Sequence, residues 1–169
     1  MPKPSNIDPE DIFSSIQELA DLGARERNVL AAVCDVVEYG EGEKIIEQGS
    51  RPRMLPYLAT GTVELIFELN DQEIPLATVS GPSLLGFLWI LDTSVHCPVT
   101  FRVIEDSVCL NIRNDDFENL YDSGSSLSYP VLALLYREAA RNFCFYNDAF
   151  RRLYQEPEIT YVKLVKLAT

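Results

Sequence analysis

Between Asp35 and Arg113 the chain is cut into short, strand-like runs by glycines and turn residues, and this punctuation limits the fold more than any other feature. Val36-Val37-Glu38-Tyr39 is followed by the turn Gly40-Glu41-Gly42-Glu43. Lys44 to Gln48 ends at Gly49, and Leu55 to Ala59 ends at Thr60-Gly61. Thr62 to Leu69 alternates, with Val63, Leu65 and Phe67 predicted to share a face. Asn70-Asp71 marks a hairpin turn, and Glu73 to Val79 returns to the break at Ser80-Gly81-Pro82. Val99 to Ile104 and Val108 to Ile112 read as a last hairpin about Glu105-Asp106. Short strands at about ten-residue spacing imply a sandwich or jelly roll.

Helical signals bracket this region. Asp8 suits an N-cap, Pro9 the first helical position, and Glu10 and Asp11 the first turn. Ile12, Phe13, Ile16, Leu19 and Ala20 then recur at helical spacing up to Leu22-Gly23, and Arg25 to Val33 reads as a second short helix. Asp115 to Tyr121 is a third. A long helix runs from Ser128 to Gln155, with Pro130 in its first turn. The expected fold is mainly β with flanking helices: an eight-stranded jelly roll (a double-stranded β-helix) with N-terminal helices and a long C-terminal helix. The expected organisation is a lead-in over 1–9, one domain over 10–155 (helices 10–33, roll 35–113, helices 115–155) and a tail over 156–169.

Several residues within this layout resemble the cyclic-nucleotide-binding domain family of catabolite activator proteins, protein kinase A regulatory subunits and cyclic-nucleotide-gated channels. Ile16, Leu19, Glu26, Arg27 and Leu30 look like its opening helical pattern. Gly42, Glu43, Ile45 and Gly49 match G-E-x-I-x-x-x-G, and Leu55, Tyr57, Leu58, Gly61, Val63 and Glu64 match the strand that follows. Gly42, Gly49 and Gly61 fall where strands reverse, positions that suit a residue with no steric cost at positive φ. The resemblance implies a phosphate-binding cassette. There a glycine turn and a helix start offer N–H groups to the cyclic phosphate, an arginine pairs with it, and a glutamate accepts from the ribose.

The aligned stretch departs from that pattern. Gly86 matches, but Phe87 stands in the glutamate's place, Cys97 in the arginine's, and Pro98 where an N–H or hydroxyl would donate. Each lost charge-assisted hydrogen bond is worth about 1.5–3 kcal/mol. A cyclic nucleotide of the ordinary kind is therefore not an expected ligand. Arg102 lies inside the next strand, where Glu105 is its expected partner. The candidate pocket residues are Gly86, Phe87, Leu88, Trp89, Cys97, Pro98 and Val99. Leu84, Leu85 and Ile90 add to the loop's apolar character. Such a loop suits core packing, a new apolar ligand or an exposed anchor for a partner. His96 alone is a weak basis for haem ligation.

In the C-terminal helix Leu132, Leu135, Ala139, Asn142, Tyr146, Ala149 and Leu153 follow a 3-4 spacing, a heptad seam expected to form a homodimer. A neighbouring face carries Tyr136, Phe143, Phe150 and Tyr154.

Charge and composition narrow the function. The 169 residues carry 14 Lys and Arg against 26 Asp and Glu, a formal net charge of −12, which disfavours nucleic acid and anionic membrane surfaces and suits a basic protein partner. Cys34, Cys97, Cys109 and Cys144 are scattered, three of them in apolar surroundings, as in reduced cytosolic proteins. No metal or cofactor is expected, and neither is a catalytic constellation. The single histidine would have to serve any triad, beside a cysteine whose side chain diverges from it on a strand. With no signal-peptide-like start and no apolar run long enough to cross a bilayer, the expectation is a cytoplasmic, non-enzymatic module. It would act in signalling by dimerising and binding other proteins. The alternative is a small-molecule sensor with a cyclic nucleotide or another ligand in the altered pocket.

Overall fold

The computed structural model describes residues 2–70, 72–86, 92, 94–122 and 124–154, with the side chains of Tyr121, Asn142 and 145–154 outside that description. Two compact units, residues 1–131 and 132–169, are taken separately.

In the first unit, strands β1 (Lys3–Pro4), β2 (Cys34–Tyr39), β3 (Lys44–Ile46), β4 (Met54–Leu69), β5 (Gln72–Ser80), β6 (Ser83–Leu84) and β7 (Thr100–Arg113) pair antiparallel in the order β1-β2-β7-β4-β5. β3 adds to β7 and β6 to β4. Helices α1 (Pro9–Phe13) and α2 (Ala24–Ala31) precede the roll, and α3 (Asn114–Asp122) and α4 (Ser128–Tyr154) follow it. The expected architecture, a β-roll flanked by helices, is the one observed.

Its details differ in instructive ways. The segments 55–59 and 62–69 are one strand, as are 99–104 and 108–112, so no hairpin turns at Glu105-Asp106. β7 runs through, paired from Cys34↔Ile112 to Tyr39↔Ser107 on one side and from Met54↔Arg113 to Ile66↔Thr100 on the other. A long strand buried between two neighbours tolerates the polar step Glu105-Asp106-Ser107 because the ladder absorbs it in register shifts between Leu58 and Val63. Gly61 sits at those shifts with φ +95°. A Cβ there would lie 2.7 Å from the Asp106 carbonyl oxygen and from the Ser107 Cα, so only glycine fits.

A second shift between Leu65 and Ile66 exchanges faces. Val63 and Ile66 are buried, whereas Leu65 and Phe67 are half-buried, which corrects the expected single face. The chain reverses after β4 as expected, with Leu69 opposite Gln72 and Asn70 at φ +50°, while Asp71 lies outside the described residues. Helix α1 is shorter than its apolar spacing suggests. Asp8 caps it, accepting from the Glu10 N–H at 2.9 Å. Ser15 then ends it by donating to the Ile12 carbonyl at 2.7 Å, a local bond that competes with the helix. Ile16 and Leu19 are still buried, now from turns.

The roll closes on Tyr39, Ile45, Ile46, Leu58, Val63, Leu85, Cys97, Phe101, Val103 and Cys109. Burial pushes the Cys34 and Cys109 thiols up to about 12, so neither is a nucleophile at neutral pH. No helix among the described residues is long and apolar enough to cross a membrane.

Candidate functional site

The cassette region begins where β6 docks on β4, with Leu84 opposite Tyr57, and the Leu85 N–H donating to the Pro56 carbonyl at 2.9 Å. Both leucines are buried. Gly86 follows at φ +78°, a left-handed conformation that favours glycine. Phe87, Leu88 and Trp89 lie outside the described residues.

The far end of the loop is well defined. Ser94 donates to the Asp92 carboxylate through its N–H at 2.9 Å and its hydroxyl at 2.6 Å, and these bonds hold that carboxyl below the usual range. The chain then enters a backbone clamp. The Cys97 N–H donates to the Ser50 carbonyl at 2.9 Å, and the Gly49 N–H donates to the Cys97 carbonyl at 2.8 Å.

Cys97 is 1 % exposed and lies in the roll's core with Leu85 and Phe101. Its Sγ is 3.1 Å from the Val99 carbonyl, to which it donates, and burial raises its pKa. The place that the resemblance assigns to an arginine thus holds a small, neutral, inward-facing thiol. Pro98 is exposed and Val99 half-buried.

Three polar residues outside the expected pocket, Gln48, Glu68 and Thr100, tie this end together. Thr100, fully buried, accepts from the Gln48 N–H at 3.0 Å and donates to the Glu68 carboxylate at 2.8 Å. The Gln48 side chain imitates a strand partner. It donates to the Glu68 carbonyl at 2.9 Å and accepts from the Glu68 N–H at 2.7 Å. The loop from Glu47 to Ser50 is therefore fastened both to the cassette and to the tip of β4. The sequence signals this only by a threonine between Val99 and Phe101. On the exposed side, Arg51 Nε donates to His96 Nε2 at 3.0 Å.

Arg102 does not pair with Glu105. It bridges Glu64 at 3.1 Å and Glu73 at 2.7 Å, across β4 and β5. Glu105 instead accepts from the Thr62 hydroxyl at 2.7 Å. Arg102 points to neighbouring strands because it and Glu64 are register partners on β7 and β4.

On α4, Leu135 is buried, Leu132 and Ala139 are half-buried, and Tyr136 and Phe143 are 72 % and 44 % exposed. The side chains of Asn142, Tyr146 and Leu153 lie outside the described residues. Two grooves, of about 600 and 650 Å³, run along the N-terminal segment against β2 and beside the start of α2, and neither is lined by a cassette residue. Among the described residues no group of histidine, cysteine, aspartate and glutamate could hold a metal ion.

A model of the cyclic nucleotide-binding domain matches residues 36–123, from β2 through α3 and just over half of the chain. This chain belongs to the cyclic nucleotide-binding domain family. No curated protein matches its sequence. Among solved structures, a cyclic nucleotide-binding domain from Methylobacillus flagellatus is similar at 15 % identity and TM-score 0.71, over 91 % of this chain and 85 % of that one. The catabolite activator protein of Thermus thermophilus is similar at 23 % identity and TM-score 0.60, over 82 % and 62 %. A regulatory subunit of a cAMP-independent protein kinase A from Trypanosoma cruzi, bound to guanosine, is similar at 20 % identity and TM-score 0.61, over 78 % and 45 %. The chain thus spans less than half of that kinase subunit. At these identities the likeness is one of fold.

Proposed function

We propose that this chain is a non-enzymatic regulatory module. It keeps the cyclic nucleotide-binding architecture, has lost the ordinary grip on a cyclic phosphate, and acts by dimerising and binding other proteins. Cys97 carries the reading: at 1 % exposure in the arginine's place, it offers a phosphate no charge. Phe87, in the glutamate's place, offers no acceptor to a ribose. Family members are regulatory rather than catalytic, which agrees with the high thiol pKa values of Cys34 and Cys109. We assign the dimer to the α4 seam Leu132, Leu135, Ala139, Asn142, Tyr146 and Leu153, with the exposed Tyr136 and Phe143 of the neighbouring face adding aromatic area beside it.

Thermal unfolding with millimolar cyclic AMP and cyclic GMP tests the first half. A ligand at a hundredfold over its dissociation constant adds about 2.7 kcal/mol, a rise of about 5–10 °C for a chain of this size. The expected rise is none, and a rise of that size refutes the lost grip. Light scattering on the eluting protein tests the second half. The parent should elute as a dimer and Tyr136→Glu as a monomer; a monomeric parent refutes the dimer.

A second reading follows from the same neutral slot. A pocket without the arginine suits an uncharged ligand, and the Trypanosoma cruzi structure holds guanosine, a nucleoside without phosphate. Stabilisation by guanosine but by neither cyclic nucleotide would select it.

A further inference from the structure

Carboxylates outnumber cations 26 to 14 here, and several described cations meet one. Lys44 meets Glu47 and Glu68, Arg102 meets Glu64 and Glu73, Arg113 meets Asp35 and Asp116, and Arg141 meets Glu138. Arg51 and Arg53 are not among these. Both are exposed, they stand two residues apart on the β3–β4 loop, and neither meets a carboxylate among the described residues. The nearby acids are engaged elsewhere: Glu47 on Lys44, and Asp92 on Ser94. Arg51 spends its Nε–H on the imidazole of His96 at 3.0 Å, which leaves both terminal amino groups of its guanidinium without a partner among the described residues. The loop that carries it is held in place, through Gly49 and Ser50 clamped to Cys97 and through Gln48 clamped to Glu68.

We infer that Arg51, Arg53 and His96 form an anion subsite for a phosphate-bearing small molecule, on the exposed side of the cassette and separate from the slot that Cys97 fills. A guanidinium prefers a phosphate, which it can grip with two parallel charge-assisted bonds, to one bond with a ring nitrogen. An arriving phosphate therefore competes with His96 for Arg51. His96 immediately precedes the clamped Cys97, so occupancy of the subsite is felt at the end of the cassette loop. This holds whether or not the chain dimerises, and whether or not its roll admits a nucleoside.

His96 is the only histidine, so its ring protons give a single, self-assigning reporter in a proton NMR spectrum. Titration of the full chain with inorganic pyrophosphate at fixed pH should move the His96 signal to saturation. Arg51→Ala should weaken that binding at least about tenfold and Arg53→Ala by less. Arg25→Ala, at an exposed cation on α2, should leave it unchanged. A shift that never saturates, or that sodium chloride at equal ionic strength reproduces, overturns the subsite. So does a saturable shift that survives in Arg51→Ala. Guanosine serves as the uncharged arm: a saturable response to it without one to pyrophosphate assigns the cassette to a neutral ligand and overturns the anion subsite.

Discussion

Restoring the missing cation by Cys97→Arg separates a degenerate slot from a dormant one. Cys97 is 1 % exposed among Ile46, Leu85 and Phe101, and its backbone is bonded on both sides to Gly49 and Ser50. An arginine must either carry an unpaired charge into that core, at about 3–5 kcal/mol, or push its segment outward. The outward path breaks the two backbone bonds, at about 1 kcal/mol each, and leaves their groups short of partners. For a chain of this size about 2–4 °C of melting temperature goes with each kcal/mol. The variant should therefore melt about 6–20 °C below the parent, followed by circular dichroism. Cys97→Ala is the control, since it deletes one buried sulfur for about 1 kcal/mol and adds no charge. With a millimolar cyclic AMP arm, the arginine variant should gain nothing. A Cys97→Arg protein that melts within about 2 °C of the parent, or that cyclic AMP stabilises, refutes the reasoning, because a guanidinium-sized space must then exist where the core is drawn closed.

Other expectations follow from single features. Gly61→Ala places a Cβ 2.7 Å from the Asp106 carbonyl oxygen at φ +95°, and should cost at least about 2 kcal/mol in urea unfolding, whereas a loss below about 0.5 kcal/mol would contradict the crossing of β4 and β7. In native protein, Cys144 is exposed and should react with a thiol reagent, while Cys34, Cys97 and Cys109 wait for unfolding; fast reaction of a second thiol would refute their burial. The folded thiols of Cys34 and Cys109 sit near 12, above the unfolded value of about 8.5, so their contribution to stability is intact below pH 8.5 and lost as pH rises towards 12, seen as a falling melting temperature on that limb alone. Arg102→Ala leaves Glu64 and Glu73 without their cation, and should cost about 1 kcal/mol at low salt and less at high salt, with a salt-independent loss arguing against an ion pair.

How much was legible depended on whether the cause was local. Asp8 announces its cap, Asn70 its turn and Gly42, Gly49 and Gly61 their positive φ, because a few neighbouring atoms decide each of them. The fold class followed from such signals in series. The continuity of β4 and β7 did not, because it is decided between strands. Thr60-Gly61 and Glu105-Asp106 read as two breaks, yet they meet across one ladder, where the glycine makes room for the passing backbone. Arg102 shows the same limit, since its nearest acid in sequence bonds to Thr62 while its partners come from β4 and β5. At the site, the neutrality of position 97 was plain from the residue type. Its burial was not, and neither was the clamp through Gln48 and Thr100, made by residues 52 apart in sequence.

The two kinds of residue in this fold answer to different demands. Gly61 and Gly86 shape the backbone, and no ligand is needed to explain them, so a roll that stops binding a nucleotide still requires both. The arginine and glutamate of a working cassette do the reverse. They are charges held near an apolar core for the sake of a ligand, and without the ligand they cost desolvation. Once the ligand goes, a small thiol at 97 that packs with Leu85 and Phe101 and donates to Val99 is the more stable solution. Architecture and binding can therefore part company at very few positions. Membership of the family fixes the roll, while the ligand must be read from what stands at 87 and 97, and from cations such as Arg51 that meet a ring rather than a carboxylate among the described residues.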